Sequence, residues 1–138
     1  MRLVIVGSTD YTWVANERKA VRDLIEFVLD EYMARAGSDE FVVGSGHSPD
    51  GGVDIWVEHI CQARSIPFQA FPARLFVWPE YKKRNLAMAE WCSDLVRIKS
   101  PRSITYGSGW TRDRAAALGK ATRQYLWNIE DRSWTMEA

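Results

Sequence analysis

The sequence has no net charge: 18 basic side chains balance 18 acidic ones over 138 residues. A protein that grips duplex nucleic acid through many phosphates carries a basic excess, so that partner is not expected. Glycine and proline are sparse, nine and five residues, while 46% of the chain is apolar. That balance excludes the disordered, collagenous and low-complexity classes. Cysteine is scarcer still. Cys61 and Cys92 fall in apolar helical stretches without CxxC or Cys/His spacing, so they read as buried free thiols of a reducing compartment. No metal site or other cofactor is expected. No apolar run approaches the ~18 residues that cross a bilayer. Met1 to Gly7 is too short in its apolar part for a secretory signal. These absences predict a soluble cytoplasmic protein of one domain, with no membrane partner and enough chain for a core.

What is present is an alternation of short β-favouring runs and helical stripes. Leu3–Val6 reads as a buried parallel strand, stopped by Gly7-Ser8-Thr9-Asp10. Val21, Leu24, Ile25, Val28, Leu29 and Tyr32 recur at three- and four-residue spacing, which predicts a helix over 16–36 ended by Gly37. Phe41-Val42-Val43 is a second strand, ending at Gly44-Ser45-Gly46. A helix over 53–64, a strand over 66–71, an irregular loop over 72–80 and a helix over 81–92 follow. A fourth strand is expected at 95–98, a long loop at 100–109 and a helix at 111–118 stopped by Gly119. Alternation from Thr122 to Ile129 predicts a fifth strand. The tail from Asp131 to Ala138 has no periodicity and is expected to be irregular, with Trp134 packing somewhere. The fold class is α/β: a Rossmann-like three-layer sandwich of about five mostly parallel strands, with helices on both faces.

In such a sheet, ligands bind beyond the carboxyl ends of the strands, near the point where strand order reverses. Seven of the nine glycines (Gly7, Gly44, Gly46, Gly51, Gly52, Gly107 and Gly109) fall in three loops at that edge. Backbone amides of such loops, with helix N-termini behind them, can approach an anion closely. The alternative is that these glycines merely make tight strand-to-helix turns. The spacing matches neither GxGxxG nor a P-loop. Ser8, Ser45 and Ser108 lack a Gly-x-Ser-x-Gly elbow and read as phosphate-binding hydroxyls rather than nucleophiles. Asp54 either caps its helix or accepts from a ribose hydroxyl. His47 is a ligand contact or a solvated loop residue, and His59 is expected to be exposed. Trp13, Trp78 and Trp110 are expected in loops near the ligand edge, Trp110 being the best candidate to stack on a base. Trp56 and Trp91, in helices, are candidates for the core or for a homodimer surface.

Four motifs in order carry a family resemblance. They are Gly7-Ser8 after the first strand, Gly52-Val53-Asp54 ahead of a helix, Arg84-Asn85-Leu86-Ala87-Met88 in the third helix, and Gly107-Ser108-Gly109 with Thr111 ahead of the fourth. On these the chain resembles the SLOG superfamily of Rossmann-like domains, nearest its YspA-like branch. It is distantly similar to the Lonely Guy phosphoribohydrolases. The resemblance spans about residues 2–129. It implies a nucleotide-binding site of Gly7, Ser8, Thr9, Gly44, Ser45, Gly46, Gly52, Asp54, Arg84, Asn85, Gly107, Ser108, Gly109, Trp110 and Thr111. The enzymes' last loop reads Pro-Gly-Gly-x-Gly-Thr-x-x-Glu. Laid on Gly107 and Gly109, it puts Thr105 at the Pro, Tyr106 at the first Gly, Trp110 at the Thr and Asp113 at the Glu. Two functions are implied. One is a sensor or sequestering module for a nucleotide or nucleotide-derived metabolite. The other is a nucleoside 5′-monophosphate N-glycosidase with Arg84 and Asp113 as catalytic residues, a carboxylate beside the anomeric carbon stabilising an oxocarbenium-like sugar. Without catalysis, Asp113 is a first-turn acid favoured by its helix dipole and Arg84 a surface cation of the run Lys82-Lys83-Arg84.

Overall fold

The computed structural model describes residues 1–104 and 107–138. In chain order the elements are β1 (Arg2–Gly7), α1 (Ala15–Ala36), β2 (Val42–Ser45), α2 (Val53–Ala63), β3 (Phe68–Ala70), α3 (Trp78–Trp91), β4 (Asp94–Lys99), α4 (Gly107–Ala117), β5 (Ala121–Asn128) and β6 (Ser133–Glu137). The strands form one sheet in the order β3-β2-β1-β4-β5-β6. All neighbours are parallel except β5 and β6. Strand order therefore reverses between β1 and β4: the chain builds outward from β1 to β3, then crosses back to start β4 on the other side of β1.

Two apolar cores lie on the two faces. Leu3 and Ile5 of β1, with Val96 and Ile98 of β4, pack against the α1 stripe and Val53, Val57 and Cys61 of α2. Val4 and Val6, pointing the other way, pack with Leu95 against Met88 and Ala89 of α3, Cys92, and Ala115 of α4. Because successive residues of a strand face opposite ways, a run such as Leu3-Val4-Ile5-Val6 has to be apolar throughout when both faces are covered. Cys61 and Cys92 are both free and buried. No helix among the described residues is long and apolar enough to cross a membrane.

Three elements depart from the sequence-based reading. The tail is a strand, not irregular: β6 pairs antiparallel with β5, bringing Trp134 opposite Trp127. Trp134 packs edge-on against Trp127 and Trp13, ring centroids 4.9 and 5.9 Å away. Ser133-Trp134-Thr135-Met136-Glu137 does alternate polar and apolar residues, as an antiparallel strand covered on one face should, but over only five residues the signal is short. Second, α3 starts one turn early, with Trp78 and Pro79 inside it. Proline is tolerated in a helix's first turn, where its missing N–H has no partner to lose. Third, Gly107-Ser108-Gly109 is the first turn of α4 rather than loop. Thr105 and Tyr106 lie outside the described residues.

Candidate functional site

A cleft of about 440 Å³ opens at the carboxyl ends of β1 and β4, where strand order reverses. It lies between the β1 exit, the loop from β2 to α2, helix α3 and the start of α4. Its buried lining residues, Val6, Asp54, Asn85, Met88 and Thr111, make the floor, and the exposed ones, Asp50, Trp78 and Ile104, make the mouth. Gly7, Thr9, Ser48, Tyr81, Arg84, Gly107 and Ser108 complete the wall. The α3 contribution follows from helical spacing. Trp78, Tyr81, Asn85 and Met88 lie three or four residues apart on one face.

The β1 exit is packed too tightly for any side chain. A Cβ on Gly7 would lie 2.3 Å from the Ile98 carbonyl oxygen and 2.7 Å from Val53 Cγ2. Gly52 caps α2 at φ +80°, and a Cβ there would lie 2.5 Å from the Ser8 carbonyl oxygen. Ser8 is the joint between these loops. Its amide donates to the Ile98 carbonyl, its hydroxyl accepts from the Ser100 amide, and its carbonyl accepts from the Val53 amide and Trp13 Nε1. Nearby amides of Asp10, Asp50 and Gly51 are likewise bonded to protein oxygens. Much of the expected amide cradle is thus closed by the fold itself, because converging loops satisfy one another's buried polar groups.

Asp54 and Arg84 supply the charge. Asp54, in the first turn of α2, is 8% exposed, and its Oδ1 has no hydrogen-bond partner. Burial pushes its carboxyl up to about 6, against the opposing pull of the Arg84 charge. Arg84 donates from Nε to Asn85 Oδ1 at 2.6 Å and from Nη1 to the carbonyls of Gly46 and Phe71. Its guanidinium lies 5.2 Å from the Tyr81 ring centroid. Burial lowers the Arg84 pKa, while Asp54 and Tyr81 act to raise it. Gly46 passes close to both groups. A Cβ there would be 2.6 Å from Arg84 Nη1 and 2.7 Å from Asp54 Oδ2. Far from being a surface cation, Arg84 ties α3 to the loop after β2.

The remaining site candidates divide. Gly7, Thr9, Asp54, Arg84, Asn85, Gly107, Ser108 and Thr111 line the cleft. Ser8, Gly44, Ser45, Gly46, Gly52, Gly109, Trp110 and Asp113 are not among its lining residues. Gly44 lies under Trp91 and Phe71, and the Ser45 hydroxyl donates to the Ile5 carbonyl at 2.7 Å, so both serve the sheet. The Ser108 hydroxyl accepts from Arg97 Nε at 2.9 Å. Trp110 stacks edge-on against Trp78 with centroids 6.0 Å apart, and Trp78, not Trp110, faces the cleft. Asp113 has a side chain 79% exposed, with Arg112 at 3.9 Å. The structure does not bring it into the cleft with Arg84.

Other sequence-based placements change as well. Trp13 is core, 2% exposed, because β6 supplies Trp134 to cover it. His47 is exposed and meets Glu58 of α2 at 2.8 Å, outside the cleft. His59 is exposed. Trp56 and Trp91 are half-buried on their own chain, beneath the guanidiniums of Arg18 and Arg2 respectively. Sequence reading missed Val6, Ser48, Asp50, Tyr81, Met88 and Ile104 as cleft residues. The spacing from Trp78 to Met88 could have found Tyr81 and Met88, had Pro79 been allowed in the first turn. Among the described residues, no three His, Cys, Asp or Glu side chains group as metal ligands.

No family model and no curated protein matches the chain.

Proposed function

We propose that the cleft binds a nucleotide or nucleotide-derived metabolite, and that the protein acts as a sensor or sequestering module for it. One observation carries the reading: at the reversal point of the sheet, an open cleft is lined by a nearly buried carboxyl, Asp54, together with the aromatic side chains of Trp78 and Tyr81. The cleft volume suits a small molecule. Exposed Trp78 and half-buried Tyr81 offer flat apolar surface for a base. The resemblance of the four motifs to SLOG domains agrees with this reading.

The N-glycosidase alternative is less well supported, since of its two residues Arg84 lines the cleft and Asp113 does not. The test is a thermal-shift panel of nucleosides, nucleoside mono- and diphosphates and ADP-ribose, with chromatography for released base. Saturable stabilisation without free base supports the binding module. Base release that vanishes in Asp113→Asn, with the fold intact by circular dichroism, would instead establish the hydrolase. No stabilisation by any member of the panel would refute the binding reading.

A further inference from the structure

The cleft also has a polarity, and it opposes the expectation of an anion-cradling floor. Among the described residues, Arg84 is the one basic residue in the lining, facing two carboxyls, Asp50 and Asp54. The Nε and Nη1 of Arg84 already donate to Asn85 and to the carbonyls of Gly46 and Phe71. The other polar atoms of the floor are mostly acceptors. The Thr111 hydroxyl donates to the Gly107 carbonyl at 2.7 Å, so toward a ligand it can only accept. Asn85 Oδ1 is occupied by Arg84, while Nδ2 reaches the Gly107 carbonyl at 3.4 Å and keeps a second hydrogen free. The rest of the floor, Val6 and Met88, is apolar. A phosphate pushed to this depth would meet the Asp54 carboxylate and, among the side chains of the described floor residues, one free donor, the second N–H of Asn85 Nδ2.

We infer that the ligand enters nucleoside end first, an uncharged O–H or N–H of its ribose or base donating to the Asp54 carboxylate, with any phosphate left at the mouth. The inference rests on the nucleotide-binding reading and deepens it. Asp54 is 8% exposed and lines the cleft among its buried residues, so an incoming hydroxyl or amino group would meet it at the bottom. Val6 and Met88 line the same floor, while charged oxygens stay in water near Asp50, Trp78 and Ile104. In this arrangement Arg84 is a positioning residue that holds the Gly46 loop and Asn85, rather than a phosphate clamp.

The experiment is competition calorimetry on the wild-type chain with adenosine, guanosine, cytidine and uridine, their 5′-monophosphates, and inorganic phosphate. The expected result is that the best-binding nucleoside keeps affinity within about tenfold of its monophosphate, and that phosphate at tens of millimolar displaces neither. The 2′,3′-dideoxy analogue and an analogue lacking the base's N–H donors (exocyclic amine and ring N–H, for uridine N3–H) identify the donor, and at least one should bind at least tenfold more weakly. Asp54→Asn, checked for folding by circular dichroism, should weaken the nucleoside at least tenfold as well. If monophosphates bind, nucleosides do not, and phosphate competes, the orientation is overturned while the binding module stands. If both analogues bind as well as the parent nucleoside, the donor to Asp54 is overturned. If nothing in the panel binds, both readings fall together.

Discussion

Arg102 grips both carboxylate oxygens of Glu17, Nη1 to Oε1 at 2.7 Å and Nη2 to Oε2 at 3.2 Å. The same carboxylate accepts from Trp127 Nε1 at 2.8 Å and from the Val14 amide at 3.0 Å. One buried acid thus joins the start of α1, strand β5 and the segment after β4 that carries Ile104 to the cleft mouth. Burial alone would raise the Glu17 carboxyl, but the hydrogen bonds from Arg102 and the Val14 amide, with the Arg102 charge, hold it below its ordinary value.

Arg102→Met should cost about 3 kcal/mol in urea unfolding at pH 7, because it strands a buried carboxylate. The sign of the pH effect follows from the lowered pKa. The contribution is complete above the unfolded carboxyl value and is lost as pH falls through the folded one. The gap between wild type and variant should therefore narrow on acidification. A gap that widens would contradict the clamp.

Asp54 behaves oppositely. Its folded carboxyl is pushed up to about 6 from an ordinary 3.8, so the folded state holds its proton where the unfolded state has lost it. The penalty is absent below about pH 4, grows between pH 4 and 6, and is complete above. From the difference of about two units it amounts to about 3 kcal/mol. The stability of Asp54→Asn relative to wild type should rise by that order between pH 4 and pH 7, read by denaturant titration at each pH. A constant difference would show that Asp54 is not a desolvated acid.

Gly7 and Gly109 look alike in sequence and should respond differently. Gly7→Ala drives a methyl into the Ile98 carbonyl and Val53 and should cost about 3 kcal/mol. Gly109→Ala lies in α4 and meets the end of the Arg97 side chain at 3.1 Å. There the helical gain of about 1 kcal/mol offsets the crowding, leaving the variant close to wild type. Chemical denaturation separates the two.

Trp134→Ala should remove the edge-on contacts with Trp13 and Trp127 that hold β6. A loss of about 2 kcal/mol is expected for a half-buried aromatic. Hydrogen exchange should speed up in the β5–β6 ladder before it does in β1 and β4.

The architecture was readable because its signals are local and repeated. The stripe from Val21 to Tyr32 and the run from Leu3 to Val6 need only the periods of helix and strand to be placed. Arg84, Asn85 and Thr111 were also legible as site candidates, since motif order sets them at the sheet's carboxyl edge. What failed depended on partners far along the chain. Trp13 reads as a loop aromatic until Trp134, 121 residues later, covers it. Ser8 looks like a free phosphate-binding hydroxyl until the Ser100 amide bonds to it.

The sequence by itself determined the order of strands and helices as far as β5, through hydrophobic period and chain punctuation that act within a few residues. Only tertiary structure decided which glycine-loop groups stay open, that Trp78 and not Trp110 faces the cleft, and that Asp54 rather than Asp113 is the carboxyl in its floor. Hydrogen-bond satisfaction and desolvation are properties of the assembled neighbourhood, and no local pattern encodes which groups will meet there.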